Sequence, residues 1–213
     1  MTLQLYCFGE SGHSYKAALA LELAGLDWAP TFVDFFNGET RSPRYRADIN
    51  EMGECPVLVD GDTRLSQSAV IQQYLSDTYG HFGGTSPQEA REVLRWQLWD
   101  NHKLSSFAGI CRFLMNFVPA EKQPAEVIAF YQGRLKGTYA VLETHLEGRD
   151  WIVGQAVTNA DLTCCGYLYY PEPFGFDRTA FPNIDRWLSN IQALPGWKAP
   201  YDLMPGNPGD RKP

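Results

Sequence analysis

Two stretches carry residues whose types and spacing could do chemistry. The first is Ser11-Gly12-His13-Ser14, between an alternating segment, Leu3 to Phe8, and a strongly apolar helical pattern. Hydroxyls and an imidazole at the start of a helix can donate hydrogen bonds to an anion, next to the helix's own unsatisfied N–H groups. The second runs from Gly53 to Leu75. In it, Gln67 and Ser68 stand in a first helical turn, where free N–H groups and the positive dipole end favour a carboxylate. Pro56 lacks an N–H and opens an apolar run, which suits a sheet edge or a tight turn, with a cis bond as an option. The five cysteines (7, 55, 111, 164 and 165) form no CxxC, and no two histidines stand at i, i+4. No metal site is expected. The odd thiol count suits small buried hydrophobes in a reducing compartment.

The elements that must position these groups follow from periodicity. Leu3 to Phe8 reads as a strand. A helix follows from Ser14 to Leu26, with Ser14 as its N-cap, and then a second strand from Trp28 to Phe35 running into the core. A short helix is expected near Pro43 to Asp48. Val57-Leu58-Val59 and Thr63-Arg64-Leu65 form a hairpin around Asp60-Gly61-Asp62, and Ser66 caps a helix carrying Ala69, Val70, Ile71, Tyr74 and Leu75. The order β-α-β-(α)-β-β-α over residues 1–79 is thioredoxin-like, with a linker at 80–86. Strand signals then vanish. Ser86-Pro87-Gln88-Glu89 is a capping-box start for one long helix to Phe117. Another helix spans 124–146, Thr158 to Asp161 opens a third through Leu168, and a last one covers 183–194. Pro195 and Gly196 close the ordered body, and 205–213 reads as a frayed tail. The fold class is therefore an α/β N-terminal domain plus an all-α C-terminal domain, assigned 1–79 and 87–204.

Composition narrows the function classes. A net charge of −7 with no basic stripe argues against nucleic-acid and anionic-membrane partners. No run of apolar residues is long enough to span a bilayer. The N-terminus shows no basic leader, so a cytoplasmic location is expected.

Cys55-Pro56, Asp60 and Gln67-Ser68 in one short window resemble the glutathione-binding domain of glutathione transferases. Further likenesses extend it over nearly the whole chain: Thr158 to Asp161, Pro182 to Trp187, and Pro195-Gly196. Trp96 to Asp100 and Arg112-Phe113 look like bacterial members. The resemblance implies that Cys55 presents its backbone to the cysteinyl part of glutathione, and that Pro56 follows a cis bond. It implies that Gln67 and Ser68 take the γ-glutamyl carboxylate. Asn37, Arg41 and Asn50 are alternatives for the glycyl carboxylate. Asp100 is a candidate for the γ-glutamyl amine, from the same or a partner subunit. Phe107, Cys111, Arg112 and Phe113 are candidates to line a pocket for a small hydrophobic electrophile. A homodimer with glutathione as co-substrate is implied.

In glutaredoxin-type folds the loop at residues 11–14 carries CxxC; here both positions are serine, so it can donate to another molecule's sulfur but not exchange disulfides. Cys7 lies within a strand and does not replace the missing thiols. Counting on from Leu5-Tyr6, the family pattern puts the thiolate donor at Ser11, with Ser14, His13 and Tyr6 as alternatives. Lowering a thiol pKa by ~2 units takes about 2.7 kcal/mol. One hydrogen bond to a charged group (~1.5–3 kcal/mol) and a helix end (~0.3–1 kcal/mol) suffice. The implied activity is glutathione transfer. Glutathione-dependent isomerisation of the maleylacetoacetate isomerase type, or non-catalytic binding of apolar ligands, are the rival readings.

Overall fold

The computed structural model describes residues 2–206. Its contacts divide the chain into two units. One runs through Gly83 and takes back the segment from Pro195 onward; the other is Gly84–Leu194.

The first unit contains β1 (Leu3–Cys7), α1 (Gly12–Leu23), β2 (Trp28–Phe32), α2 (Pro43–Asp48), β3 (Val57–Asp60), β4 (Thr63–Ser66) and α3 (Ser68–Tyr79). The sheet order is β2-β1-β3-β4. β2 runs parallel to β1, and β3 and β4 follow antiparallel. Leu3, Leu5 and Cys7 alternate into the core as expected, and Ala17 through Leu21 of α1 are all buried. Gly61 takes the positive φ that the β3–β4 turn requires. β2 departs from expectation: it stops at Phe32 rather than Phe35 and lies at the sheet edge, with Phe32 half-exposed. Pro30 has no N–H to offer a further strand, which suits an edge position.

The chain does not finish its ordered course at Pro195-Gly196. A short helix, here α9 (Pro200–Leu203), follows α8 (Pro182–Gln192). This segment belongs with the first unit and not with the helical part, to which the sequence reading gave residues up to 204. The Tyr15 hydroxyl donates to the Lys198 carbonyl at 2.8 Å, and Lys198 Nζ meets Glu22 at 2.6 Å. Of the expected tail, Pro205 and Gly206 are held against Gly9, and residues 207–213 lie outside the described residues.

The second unit holds α4 (Pro87–His102), α5 (Leu104–Asn116), α6 (Ala125–His145), α7 (Asn159–Cys164) and α8. Ser86 caps α4 through the Glu89 N–H at 3.2 Å, but the Glu89 carboxylate bonds Thr85 rather than closing a capping box. The single helix expected over 87–117 is broken at Lys103, whose φ and ψ of −117° and −73° depart from helical values. Around the break, Asp100 accepts from the Ser105 hydroxyl at 2.8 Å and from Thr163 at 3.2 Å. The helix opened by Thr158 ends at Cys164, short of Leu168, and passes into successive turns around Gly166.

The capping box of α7 is present, and its Asp161 does more than cap. One carboxylate oxygen accepts from the Ile152 N–H and the Trp187 indole, both at 2.8 Å. The other accepts from the Thr158 N–H at 2.8 Å and its hydroxyl at 3.2 Å. Burial pushes this carboxyl up to about 6, against the lowering by the four donors, so it is ionised at neutral pH. One carboxylate thus ties the Trp151–Gly154 loop, α7 and α8 together. Asp161→Asn turns an amide NH2 toward donors and removes charge-assisted bonds worth ~1.5–3 kcal/mol each. It should lower unfolding stability by at least about 2 kcal/mol, read as a shift in denaturant midpoint.

Candidate active site

The connection from β1 to α1 is four residues long, Phe8 to Ser11. The Ser11 N–H closes it onto the Phe8 carbonyl at 3.1 Å. Ser11, not Ser14, is the N-cap of α1: its backbone is extended (φ −87°, ψ 109°) and its Oγ accepts from the Ser14 N–H at 3.1 Å. The helix starts at Gly12, two residues before the expected Ser14, because an N-cap's acceptor must precede the first free N–H groups by two or three positions. Ser11 retains 8% exposure, whereas Ser14 is fully buried, with its hydroxyl 3.6 Å from Cys55 Sγ. Capping uses a lone pair of Ser11 Oγ and leaves its O–H. Among the described residues no acceptor takes that proton.

His13, half-buried in the first turn of α1, is held down at about 3, by burial first and then by the Lys16 charge. It is a neutral imidazole throughout the physiological range.

The Cys55-Pro56 bond is cis. Tyr6 pairs with Val57, which sets this loop beside the C-terminal end of β1. Cys55 Sγ donates to the Tyr6 carbonyl at 3.0 Å. Burial pushes the thiol up to about 12, with the Ser14 bond opposing and the Glu39 charge adding to the rise. The Cys7 thiol is pushed up as well, mainly by burial. A thiol must ionise to exchange disulfides, so neither serves as a redox nucleophile at neutral pH.

At α3 the N-cap is Gln67 rather than Ser66, which still belongs to β4. Gln67 has φ 70° and ψ 116°, a conformation that costs a non-glycine residue about 1–3 kcal/mol. Its side chain makes no capping bond; it donates to Glu54 at 2.7 Å instead. The first N–H groups of α3 are thus left without a side-chain cap. Ser68, buried at the helix start, has a hydroxyl with no partner among the described residues. Glu54, which holds Gln67, escaped the sequence reading; a carboxylate one residue before Cys55-Pro56 carries no local signal of its distant partner.

The three candidates for a glycyl carboxylate differ in what they already bind. Asn37 donates to Asp34 at 3.1 and 2.9 Å. Asn50 is buried, donating to the Glu54 carbonyl at 3.0 Å and accepting from Met52 N–H at 3.1 Å. Arg41 is exposed and has no ion-pair partner among the described residues. It ends the turn Glu39–Arg41, which packs on the loop at Gly53, where an added Cβ would stand 2.8 Å from the Thr40 carbonyl oxygen.

The helical unit places its candidates otherwise. Asp100, the candidate for a γ-glutamyl amine, is fully buried and accepts from Ser105 and Thr163. Arg112 is 2% exposed, bonded to Glu172 at 2.7 Å and stacked 3.8 Å over Tyr170. Cys111 is buried with its thiol 3.6 Å from Met115 sulfur, and Phe113 is 42% exposed. Phe107 lines an open groove of about 300 Å³ with Trp99, Lys103, Arg134 and Thr138. The structure does not gather these four pocket candidates around that groove.

The comparisons with known proteins follow the same division. The model for the glutathione S-transferase N-terminal domain matches residues 1–77, and that for the C-terminal domain matches 110–195. The chain belongs to the glutathione S-transferase family. Glutathione S-transferase D7 of Drosophila melanogaster is 26% identical over 201 residues, covering 92% of this chain and 87% of that protein. A zeta-class glutathione S-transferase of Euphorbia esula is 27% identical over 200 residues, covering 91% and 87%. The crystal structure of a possible glutathione S-transferase from Rhodopseudomonas palustris superposes with a TM-score of 0.87 at 26% identity, covering 98% of this chain and 95% of that one.

Two measurements test the loop electrostatics. Between about 3 and the ordinary histidine pKa of ~6.5, the unfolded chain binds a proton at residue 13 that the folded chain refuses. Stability therefore rises with pH across that window and is lost on acidification, at up to about 1.4 kcal/mol per pH unit. His13→Asn should shrink the stability difference between pH 7 and pH 5 by about 2 kcal/mol in paired urea titrations. For Cys55, the neutral thiol has only short-range bonds to lose. Cys55→Val should keep glutathione affinity within a few-fold by calorimetry, and a loss near 100-fold with the fold intact would assign the sulfur a chemical role.

Proposed function

We propose that this protein is a glutathione transferase of the serine type, in which the Ser11 hydroxyl stabilises the thiolate of bound glutathione. The observation that carries the reading is the division of the Ser11 oxygen. Its lone pair caps α1 and its O–H remains to be donated, while the Ser14 hydroxyl is buried against Cys55. Ser11 need not ionise. It acts as a fixed donor where negative charge develops, as an oxyanion-hole group does.

In this reading the γ-glutamyl carboxylate binds at the uncapped start of α3, with Gln67 and Ser68. The backbone of Cys55, set by Pro56, meets the cysteinyl part, and Arg41 is the cation for the glycyl carboxylate. The thiol proton leaves to solvent. The thiolate then attacks an electrophilic carbon of a small hydrophobic compound: a C–S bond forms, and the leaving group departs with its electron pair. The protein works in the cytoplasm as a homodimer. Leu94 and Leu98, one turn apart on α4 and at least half exposed, are apolar surface that such a contact would cover. The same donor would serve glutathione-dependent isomerisation, and a substrate panel including a cis-enone diketo acid alongside aryl halides separates the two.

Ser11→Ala should raise the apparent pKa of bound glutathione by about one to two units and slow aryl-halide conjugation near neutral pH by about 10- to 100-fold. Glutathione affinity should change little. As the N-cap is lost too, stability should fall by about 1 kcal/mol. Ser14→Ala should leave the thiolate pKa in place. The readouts are thiolate ultraviolet difference absorbance and a pH–rate profile. A shift in Ser14→Ala but not in Ser11→Ala would transfer the role to Ser14, and a shift in neither would abandon the serine-type reading.

A further inference from the structure

The segment that returns to the first unit does more than end the chain. It is stapled to α1 twice: the Tyr15 hydroxyl donates to the Lys198 carbonyl, and Lys198 Nζ bonds Glu22, which also accepts from the Trp28 indole at 2.9 Å. It then reaches the four-residue connection that carries Ser11. The Gly9 N–H donates to the Pro205 carbonyl at 2.6 Å. The backbones approach so closely that a Cβ built on Gly9 would lie 2.1 Å from the Gly206 carbonyl oxygen and 3.0 Å from the Tyr201 ring. Gly206 has φ 93°, and a Cβ there would stand 2.9 Å from Phe32 and 3.4 Å from the Glu10 carboxylate. Only glycine fits at either position, each for a stated steric reason.

We propose that the segment Pro200–Gly206 is a positioning element for the Ser11 hydroxyl, acting through the Gly9–Pro205 clamp. The inference rests on the reading of Ser11 as the thiolate donor. Two backbone bonds close the connection. The Ser11 N–H on the Phe8 carbonyl sets its curvature, and the Gly9 N–H on the Pro205 carbonyl ties its middle to a rigid anchor on α1. Loss of the second bond loosens the hold of the C-terminal segment on Gly9, and a donor displaced by even 1 Å loses much of its effect on a developing charge. Glutathione affinity should be spared, because in this reading the carboxylate contacts lie at the α3 start and at Arg41, not on the clamp.

The test uses Gly206→Ala in the full chain and, separately, a chain ending at Met204, each alone and combined with Ser11→Ala. Apparent thiolate pKa, pH–rate profile and glutathione dissociation constant are measured for all. Expected is a rise in thiolate pKa of about half to one unit in either clamp variant, hence about 3- to 10-fold slower turnover at pH 6.5 that recovers as pH rises, with affinity within about two-fold. In the Ser11→Ala background neither clamp change should add to the shift, since the hydroxyl it positions is gone. Unchanged pH profiles in Gly206→Ala and the shortened chain, where Ser11→Ala itself shifts the pKa, would overturn the clamp while leaving the Ser11 reading intact. A shift that persists without Ser11 would assign the effect to the Glu10 carboxylate and overturn it as well. If the shortened chain fails to fold, Gly206→Ala decides. No shift in Ser11→Ala alone would instead remove the reading on which the clamp rests.

Discussion

A hydroxyl can close a helix and still hold a proton, and Ser11 does so: its oxygen accepts from the Ser14 N–H, and its O–H meets no acceptor among the described residues. A carboxylate or carbonyl cap could accept from the Ser14 N–H equally well, but it would have nothing to donate and would repel a thiolate. A cationic donor would have to be kept charged beside a helix that buries even Lys16. A neutral donor at the positive end of a buried helix avoids both costs. It gives the same sign of potential to an incoming anion as the helix dipole does. Everything that fixes the four residues between β1 and α1 therefore bears on where that proton points.

The protein's own sulfur is kept out of this chemistry by burial. Cys7 sits on the core face of β1, and Cys55 shares its hydrogen with the Tyr6 carbonyl while the Ser14 hydroxyl closes over it. Both thiols are neutral where a glutathione thiolate would be formed. Desolvation raises a thiol in the interior, whereas a hydrogen-bond donor lowers one, and for Cys7 and Cys55 burial is the larger effect. After the edge strand β4, Gln67 holds a backbone conformation that few non-glycine residues adopt. Its amide is secured by Glu54, which is how a costly φ persists in a folded chain.

The helical unit consumes most of the polar residues that looked available for ligands. Asp161 gathers three separate segments, Asp100 joins α4 to α5 and α7, and the Arg112 guanidinium is divided between Glu172 and the face of Tyr170. A buried charge must find partners or it destabilises the fold, and these have found theirs within the unit.

What the sequence by itself determined was everything written in local periods and caps. The β-α-β-α-β-β-α order, the hairpin around Gly61, the Pro56 and Gln67-Ser68 pattern and the Thr158 to Asp161 box are each carried by neighbouring residues, and local rules read them. What only the tertiary structure decided were the choices between candidate residues. Ser14 is the cap that local pattern suggests; in the fold its hydroxyl is buried against Cys55, and Ser11 supplies the capping oxygen. Asp100 and Arg112 carry charges on helix faces, and only the approach of Thr163 and Glu172 from some 60 residues away shows those faces to be interior. Pro205 lies far along the chain in a stretch rich in glycine and proline, and no local pattern says that its carbonyl meets Gly9. Such pairings depend on burial and on contacts distant in sequence, which hydrogen-bond and desolvation energies enforce but no short window contains.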